Sequence, residues 1–178
     1  MGKKKISLIT AILLVISSTV IGFAQTRDIN NHWAEENINY MVEKNVVNGY
    51  PDGTFRPENK MTKVEFYSII NGLIGYDEKA NISFNDVKES DWFYEHVQKG
   101  VSANYIPKTS NLNPNSNITR EEVARILGTV FDVEENQEEF QKFKDYTSIN
   151  IELRGIVGGL LKNGYMSGYP DETIRPQG

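Results

Sequence analysis

Cysteine is absent from all 178 residues, so neither a disulfide framework nor a thiolate metal site is open to this chain. Histidine occurs twice, as His32 and His96, and G-x-S-x-G and the usual nucleophile and metal motifs are missing. No calcium loop of the D-x-[DN]-x-[DN]-G type is present either. Basic residues are in the minority, 19 Lys and Arg against 24 Asp and Glu, and no basic stripe is formed. That argues against nucleic acid as a partner, because phosphate binding depends on clustered Lys and Arg. With no covalent staple, stability has to come from an apolar core, which a chain of this length is able to bury.

What is present begins with MGKKKISLITAILLVISSTVIGFAQT. Lys3, Lys4 and Lys5 form a basic start, Ile6 to Ile21 is an apolar run with a few Ser and Thr, and Gly22-Phe23-Ala24 supplies small residues before polar Gln25-Thr26. This pattern predicts a signal peptide over residues 1–24 with cleavage between Ala24 and Gln25, and hence an exported protein. An uncleaved membrane anchor is the alternative, with a run near the lower limit for a span. Residues 1–24 carry three lysines and no acid, so cleavage takes the net charge from −5 to −8.

The stretch NGYPDGTFRP (Asn48 to Pro57) returns as SGYPDETIRP (Ser167 to Pro176), which makes internal repetition the first question. A unit starting at Asp28 recurs from Phe84: Trp33 aligns with Trp92, Pro57 with Pro114, Thr62 with Thr119 and Glu65 with Glu122, at offsets of 59 to 57 residues. A third unit starts at Phe143 and reaches Tyr169-Pro170-Asp171, offset by 119 from the first. The third T-x-x-E box would fall after Gly178. The expected division is 28–83, 84–142 and 143–178, with the third repeat incomplete and its region the least stable.

Each unit reads as helix, loop, helix. In the first, Trp33, Ala34, Ile38, Met41 and Val42 share a helical face behind an N-cap at Asn30 or Asn31, and Asn48-Gly49 ends the helix. Pro51-Asp52-Gly53 is a turn. Val64, Tyr67, Ile70, Leu73 and Ile74 form the stripe of a second helix from Thr62. The second unit repeats this with Ser90 or Asp91 as cap, Trp92, Phe93, Val97 and Val101, then Val123, Ile126, Leu127, Val130 and Phe131. The third offers Ser148 as cap and Ile151, Ile156, Val157, Leu160 and Leu161, with Gly155, Gly158 and Gly159 weakening the helix unless they allow close helix-helix approach. One helix pair cannot bury its own apolar faces, so the units are expected to share a core.

Thr62-Lys63-Val64-Glu65 and Thr119-Arg120-Glu121-Glu122 have the form of capping boxes. Their cations sit at the first helical position, where the macrodipole disfavours positive charge. Two readings stand: a solvated or salt-bridged cation, or an anion site in which Lys63 or Arg120 acts beside free helix-start N–H groups. Trp33 and Trp92 are either core anchors or flat surfaces for a sugar ring, with Asp28 and Asp86 accepting from its hydroxyls. Gly49, Tyr50, Asp52 and Gly53 are turn chemistry first and ligand contacts second. His32 and His96 read as surface residues.

Repeats of this length, opening on Asp and Trp, with a GYPDGTF-x-P loop and a T-R-x-E box, resemble the S-layer homology (SLH) family over nearly all of residues 28–178. The resemblance implies an all-α module of three helical repeats packed as a pseudo-threefold spindle, a three-helix core with prongs. It also implies non-covalent anchoring to the cell wall or cell surface through pyruvylated secondary wall polysaccharide or peptidoglycan, in grooves between repeats with the box Arg central. Arg120, Thr119, Glu122, Trp92 and Asp86 match that pattern, as do Thr62 and Glu65. Lys63 stands where Arg is usual, keeping the charge without the planar fork. The second unit carries Ile106 to Leu112 in place of the GYPDG loop, and the third has no Trp near its start. The module is expected to need no cofactor or metal and to be no enzyme itself, as the N-terminal part of an S-layer or other surface protein. The alternatives are an exported hydrolase whose catalytic domain lies downstream, and a lattice subunit that self-associates in a surface layer.

Overall fold

The computed structural model describes residues 27–178; the expected leader and its Ala24-Gln25 cleavage site lie outside them. Five α-helices are formed among these residues and no strand: α1 Glu35–Glu43, α2 Lys63–Ile74, α3 Tyr94–Ser102, α4 Arg120–Val130 and α5 Arg154–Lys162. The fold is all-α, with helix, loop and helix in the first two repeats and the single helix α5 followed by its loop in the third. The chain divides into two compact units, Met1–Asn59 and Lys60–Gly178. The division does not follow the sequence repeats, because α2, the second helix of the first repeat, belongs to the second unit.

In the first unit a 3-10 turn at Arg27–Ile29 precedes α1. Asn30 and Asn31 are not its cap. The chain makes two tight turns there, His32 N–H donating to the Ile29 carbonyl and Glu35 N–H to that of His32. These leave Asn31 in the left-handed region at φ 62 and Trp33-Ala34 ahead of the helix. The cap residue is Ala34, without a side-chain bond, while Glu35 and Glu36 complement the positive helix end. Ile38 is buried. The helix stops at Glu43, before Asn48-Gly49, because Asn45 takes a left-handed φ of 56. Asn104 and Gly164 do the same after α3 and α5.

In the second unit α2 packs against α3, and α4 against α5. The helix that ends one repeat is therefore paired with the helix that opens the next. Val64, Tyr67 and Ile70 of α2, Val97 and Val101 of α3, Ile126 of α4, and Phe84, Phe93, Tyr105, Ile106 and Leu112 form one core cluster. Ala124 of α4, Val157 and Leu160 of α5, and Phe140, Phe143, Ile149 and Ile174 form another. Leu73, Ile74 and Phe131, expected in the stripes, are exposed at helix ends, and Ile151 lies exposed in a 3-10 turn ahead of α5. Neither Ser90 nor Asp91 caps α3, whose cap is Phe93; the Asp91 carboxylate accepts from Lys88 N–H in the turn before. At the third repeat it is Asn150, not Ser148, whose side chain caps the 3-10 turn leading into α5.

The α5 glycines serve close approach, but to a loop rather than a helix. A Cβ on Gly158 would lie 2.0 Å from the Asn136 carbonyl oxygen and one on Gly159 2.2 Å from that of Glu134. The helix-to-helix contact falls to Gly128 of α4, where a Cβ would meet Ile156 at 2.4 Å.

Candidate functional site

Both capping boxes are formed. Thr62 Oγ1 accepts from Glu65 N–H and Thr119 Oγ1 from Glu122 N–H, while each Glu carboxylate accepts from the Thr N–H, at 2.7 and 3.0 Å. The remaining first-turn donors are not free. Lys63 and Val64 N–H donate to the carbonyls of Ser116 and Pro114, and Arg120 and Glu121 N–H to those of Gly178 and Pro176. The loop of the following repeat thus plugs each helix start. The expected anion site on free N–H groups is corrected accordingly: an anion here has to be read by side chains.

The Arg120 side chain is held in one place by its neighbours. Its Nε donates to the Ile174 carbonyl at 2.9 Å and its NH2 to the Ser167 carbonyl at 2.7 Å. The guanidinium carbon sits 4.9 Å from the centre of the Tyr169 ring. Two of the five N–H donors of a guanidinium are therefore used, and the planar group is aimed by backbone from the loop of the third repeat. No carboxylate pairs with Arg120 among the described residues. A second guanidinium, Arg175, lies 4.0 Å from the same ring, but Asp171 holds it at 2.7 Å and Thr173 Oγ1 accepts from its Nε. Gly168 leaves no room for a side chain, since a Cβ would lie 2.0 Å from Phe143. Tyr169, Ser167 and Arg175 were not singled out from sequence, although the pairing of Tyr169 with Tyr50 and of Arg175 with Arg56 in the repeated loop was a signal for them.

Lys63 is placed differently: its ammonium pairs with Glu122 Oε1. Glu65 stays within its own box, its Oε2 accepting from Thr62 N–H and Oγ1. Burial raises the Glu122 carboxyl, but hydrogen bonds from Lys63 and Thr119 outweigh it and hold the group below the ordinary range.

The opening aspartates are clasps. Asp28 accepts from Phe55 and Arg56 N–H at 2.8 and 2.6 Å, Asp86 from Leu112 and Asn113 at 2.8 and 2.7 Å, and Asp145 from Ile174 and Arg175 at 2.8 Å each. Arg56, Asn113 and Arg175 all have left-handed φ, between 49 and 58. Each clasp fixes the unfavourable residue just before a proline. Both oxygens of Asp28 and of Asp86 therefore serve the loop, each accepting one of these N–H bonds. The hydrogen bond from Phe55 foremost keeps Asp28 below the usual range; Asp86 is also lowered, its two loop N–H bonds overcoming burial.

The tryptophans are not core anchors: Trp33 is 85% and Trp92 62% exposed. Trp33 meets His32, which pairs with Glu58, and Trp92 has Phe93 edge-on and His96 nearby. No ring contact, hydrogen bond or cation–π contact joins Trp92 to Arg120 among the described residues. His96 is not a free surface residue, because Asn71 Nδ2 donates to its carbonyl and approaches Nδ1, and burial lowers its pKa. Gly49 and Tyr50 lie on an exposed loop of the first unit, with Arg56 4.3 Å over the Tyr50 ring. Asp52 there holds Thr54 and Arg56 as Asp171 holds Thr173 and Arg175.

The family model described as the S-layer homology domain matches residues 25–66, 83–124 and 142–178. Among curated proteins the chain is 32% identical over 144 residues to a cellulosome-anchoring protein of Acetivibrio thermocellus, covering 72% of this chain and 31% of that one. It is 29% identical over 157 residues to an exoglucanase of the same organism, covering 85% and 14%. A surface-layer 125 kDa protein of Lysinibacillus sphaericus is 22% identical over 166 residues, covering 89% and 14%. The chain thus spans under a third of the length of each of these relatives.

Proposed function

Because this chain belongs to the S-layer homology family, we propose that it is a cell-surface anchoring module whose Arg120 guanidinium holds an anionic group of a wall polysaccharide. The coarse part, surface anchoring, is supported by the family match and by relatives named for surface layers and for cellulosome anchoring. The finer part rests on one observation. Arg120 is aimed by two backbone carbonyls, lies over Tyr169 and has no carboxylate partner among the described residues. A guanidinium in that state suits a ligand carboxylate, held by its remaining donors. A pyruvyl ketal offers such a carboxylate on a sugar whose ring suits an aromatic face. The module itself carries out no reaction. The match to an exoglucanase supports a second arrangement, in which a module of this kind tethers a catalytic domain.

The test is co-sedimentation of the chain with Gram-positive wall sacculi, before and after extraction of secondary polysaccharide, with Arg120→Ala alongside. Extraction should abolish binding, and the substitution should weaken it about tenfold or more, as expected for a lost charge-assisted pair. Binding that survives extraction would point to peptidoglycan and remove the carboxylate argument.

A further inference from the structure

The two boxes send their cations to opposite fates. Arg120 turns toward the loop of the next repeat, where its guanidinium meets two carbonyls and a ring and, among the described residues, no carboxylate. Lys63, at the equivalent position of α2, meets Glu122 of the next repeat's box, and the two side chains are only 18% and 29% exposed. Oε2 of the same carboxylate accepts from Thr119 N–H. Glu122 is therefore held at its own helix start while it neutralises the neighbouring one.

The surroundings differ in the same sense. The loop that plugs α2 does so with the accepting carbonyls of Pro114 and Ser116, and its left-handed position is Asn113 where the other two repeats have Arg56 and Arg175. The segment from Ile106 to Leu112 supplies no tyrosine to match Tyr50 and Tyr169. An incoming carboxylate at Lys63 has to displace a carboxylate already tethered beside it, at an effective concentration in the millimolar range or above.

We propose that Glu122 is a specificity-determining residue that occupies the α2 start as an internal anion. On this assignment the Lys63 position is silent toward anionic sugars, and residues 60–178 present one anion-reading cation, Arg120. The choice of ligand rests on the wall-polysaccharide reading above; the engagement of Lys63 by Glu122 does not.

The experiment uses the full chain and two probes. The first is methyl 4,6-O-(1-carboxyethylidene)-glucopyranoside, a pyruvyl-ketal sugar, titrated while backbone amides are followed by NMR. Amides around Arg120, Ser167 and Tyr169 should shift, and those of residues 61–66 should not. Lys63→Gln should change affinity less than about twofold, and Arg120→Gln should weaken it about tenfold or more. Glu122→Gln retains a box-competent side chain and should open a second set of shifts at residues 61–66. The second probe is the N-hydroxysuccinimide ester of acetic acid, with Lys63 acetylation followed by mass spectrometry. Glu122→Gln should speed it about fivefold or more, since freeing the amine from a partly buried pair restores its reactivity. Shifts at residues 61–66 in the unsubstituted chain, or equal acetylation rates, would overturn the assignment. A sugar that shifts no amide in any variant would instead remove the wall-polysaccharide reading, leaving the acetylation rates to decide the fate of Lys63.

Discussion

Asp28, Asp86 and Asp145 each commit both carboxylate oxygens to two consecutive N–H groups 26 to 30 residues ahead. The second of those groups belongs to a residue in the left-handed region, so the clasp holds down a conformation that non-glycine residues resist. A similar cost is visible within the repeated turn. Gly53 takes φ 81 in the first copy, and Glu172 stands at the matching place with φ 64. The Glu172 carboxylate pairs with Lys144 in solvent, where such a bond contributes little. Replacing Glu172 by Ala removes the ion pair and keeps the backbone strain; replacing it by Gly removes both. Glu172→Gly is expected to be more stable than Glu172→Ala by about 1 kcal/mol in urea unfolding, after the greater unfolded-state freedom of Gly is allowed for. Equal stabilities would mean that the turn carries no such strain.

At the scale of the element, helix glycines divide by what surrounds them. Gly158 of α5 lies against the backbone of the loop that precedes it in space, with the Asn136 carbonyl 2.0 Å from any added Cβ and the Gly155 carbonyl accepting from Asn136 N–H. Backbone cannot move aside as a flexible side chain does, so Gly158→Ala should destabilise by about 2 kcal/mol or more. Gly72 of α2 has nothing within 4 Å of its added Cβ and no positive φ. There the helix propensity acts alone, and Gly72→Ala should stabilise by up to about 1 kcal/mol. Thermal unfolding followed by circular dichroism reads both. The same sign for the two substitutions would refute the packing role assigned to Gly158. Sequence spacing identified a glycine-rich face but not the partner, because a loop approaching from 134–137 leaves no periodic trace.

For the whole molecule, the loop carboxylates make stability depend on acid. Asp52 is held at about 2, first by the side chain of Thr54 and then by its backbone and Arg56, and Asp171 at about 2 by Thr173 and Arg175. Asp28 and Asp86 are lowered as well. A carboxyl with a depressed folded pKa binds fewer protons folded than unfolded, so its contribution is complete above the unfolded value near 3.9 and is lost as pH falls through the folded one. The unfolding temperature should therefore fall as pH drops from about 4 to about 2. Asp171→Asn should flatten the part of that fall contributed by the third-repeat loop. His96, lowered by burial, adds a loss that begins below its unfolded value near 6.5, because the unfolded chain takes up the proton first. A melting temperature unchanged down to pH 2 would mean that these carboxylates are not held by their loop partners.

The amino-acid order by itself determined the helical repeats, the two capping boxes and the family. These depend on short-range rules: apolar spacing fits one helical period, and a threonine and glutamate three residues apart satisfy each other's backbone neighbours. Arg120 and Lys63 were legible as exceptional cations for the same local reason. Their partners were not, because Lys63 reaches Glu122 and Arg120 reaches Ser167 and Ile174 across 47 to 59 residues of chain. The loop partners of the aspartates were not legible either, because the fold returns them from 26 to 30 residues ahead, although the threefold recurrence ahead of an X-Pro pair was a usable sign. The tryptophans show the reverse: hydrophobicity argued for burial, and Trp33 and Trp92 face solvent. Which apolar residue is covered depends on what the rest of the chain brings over it. That is a property of tertiary packing, and no local pattern encodes it.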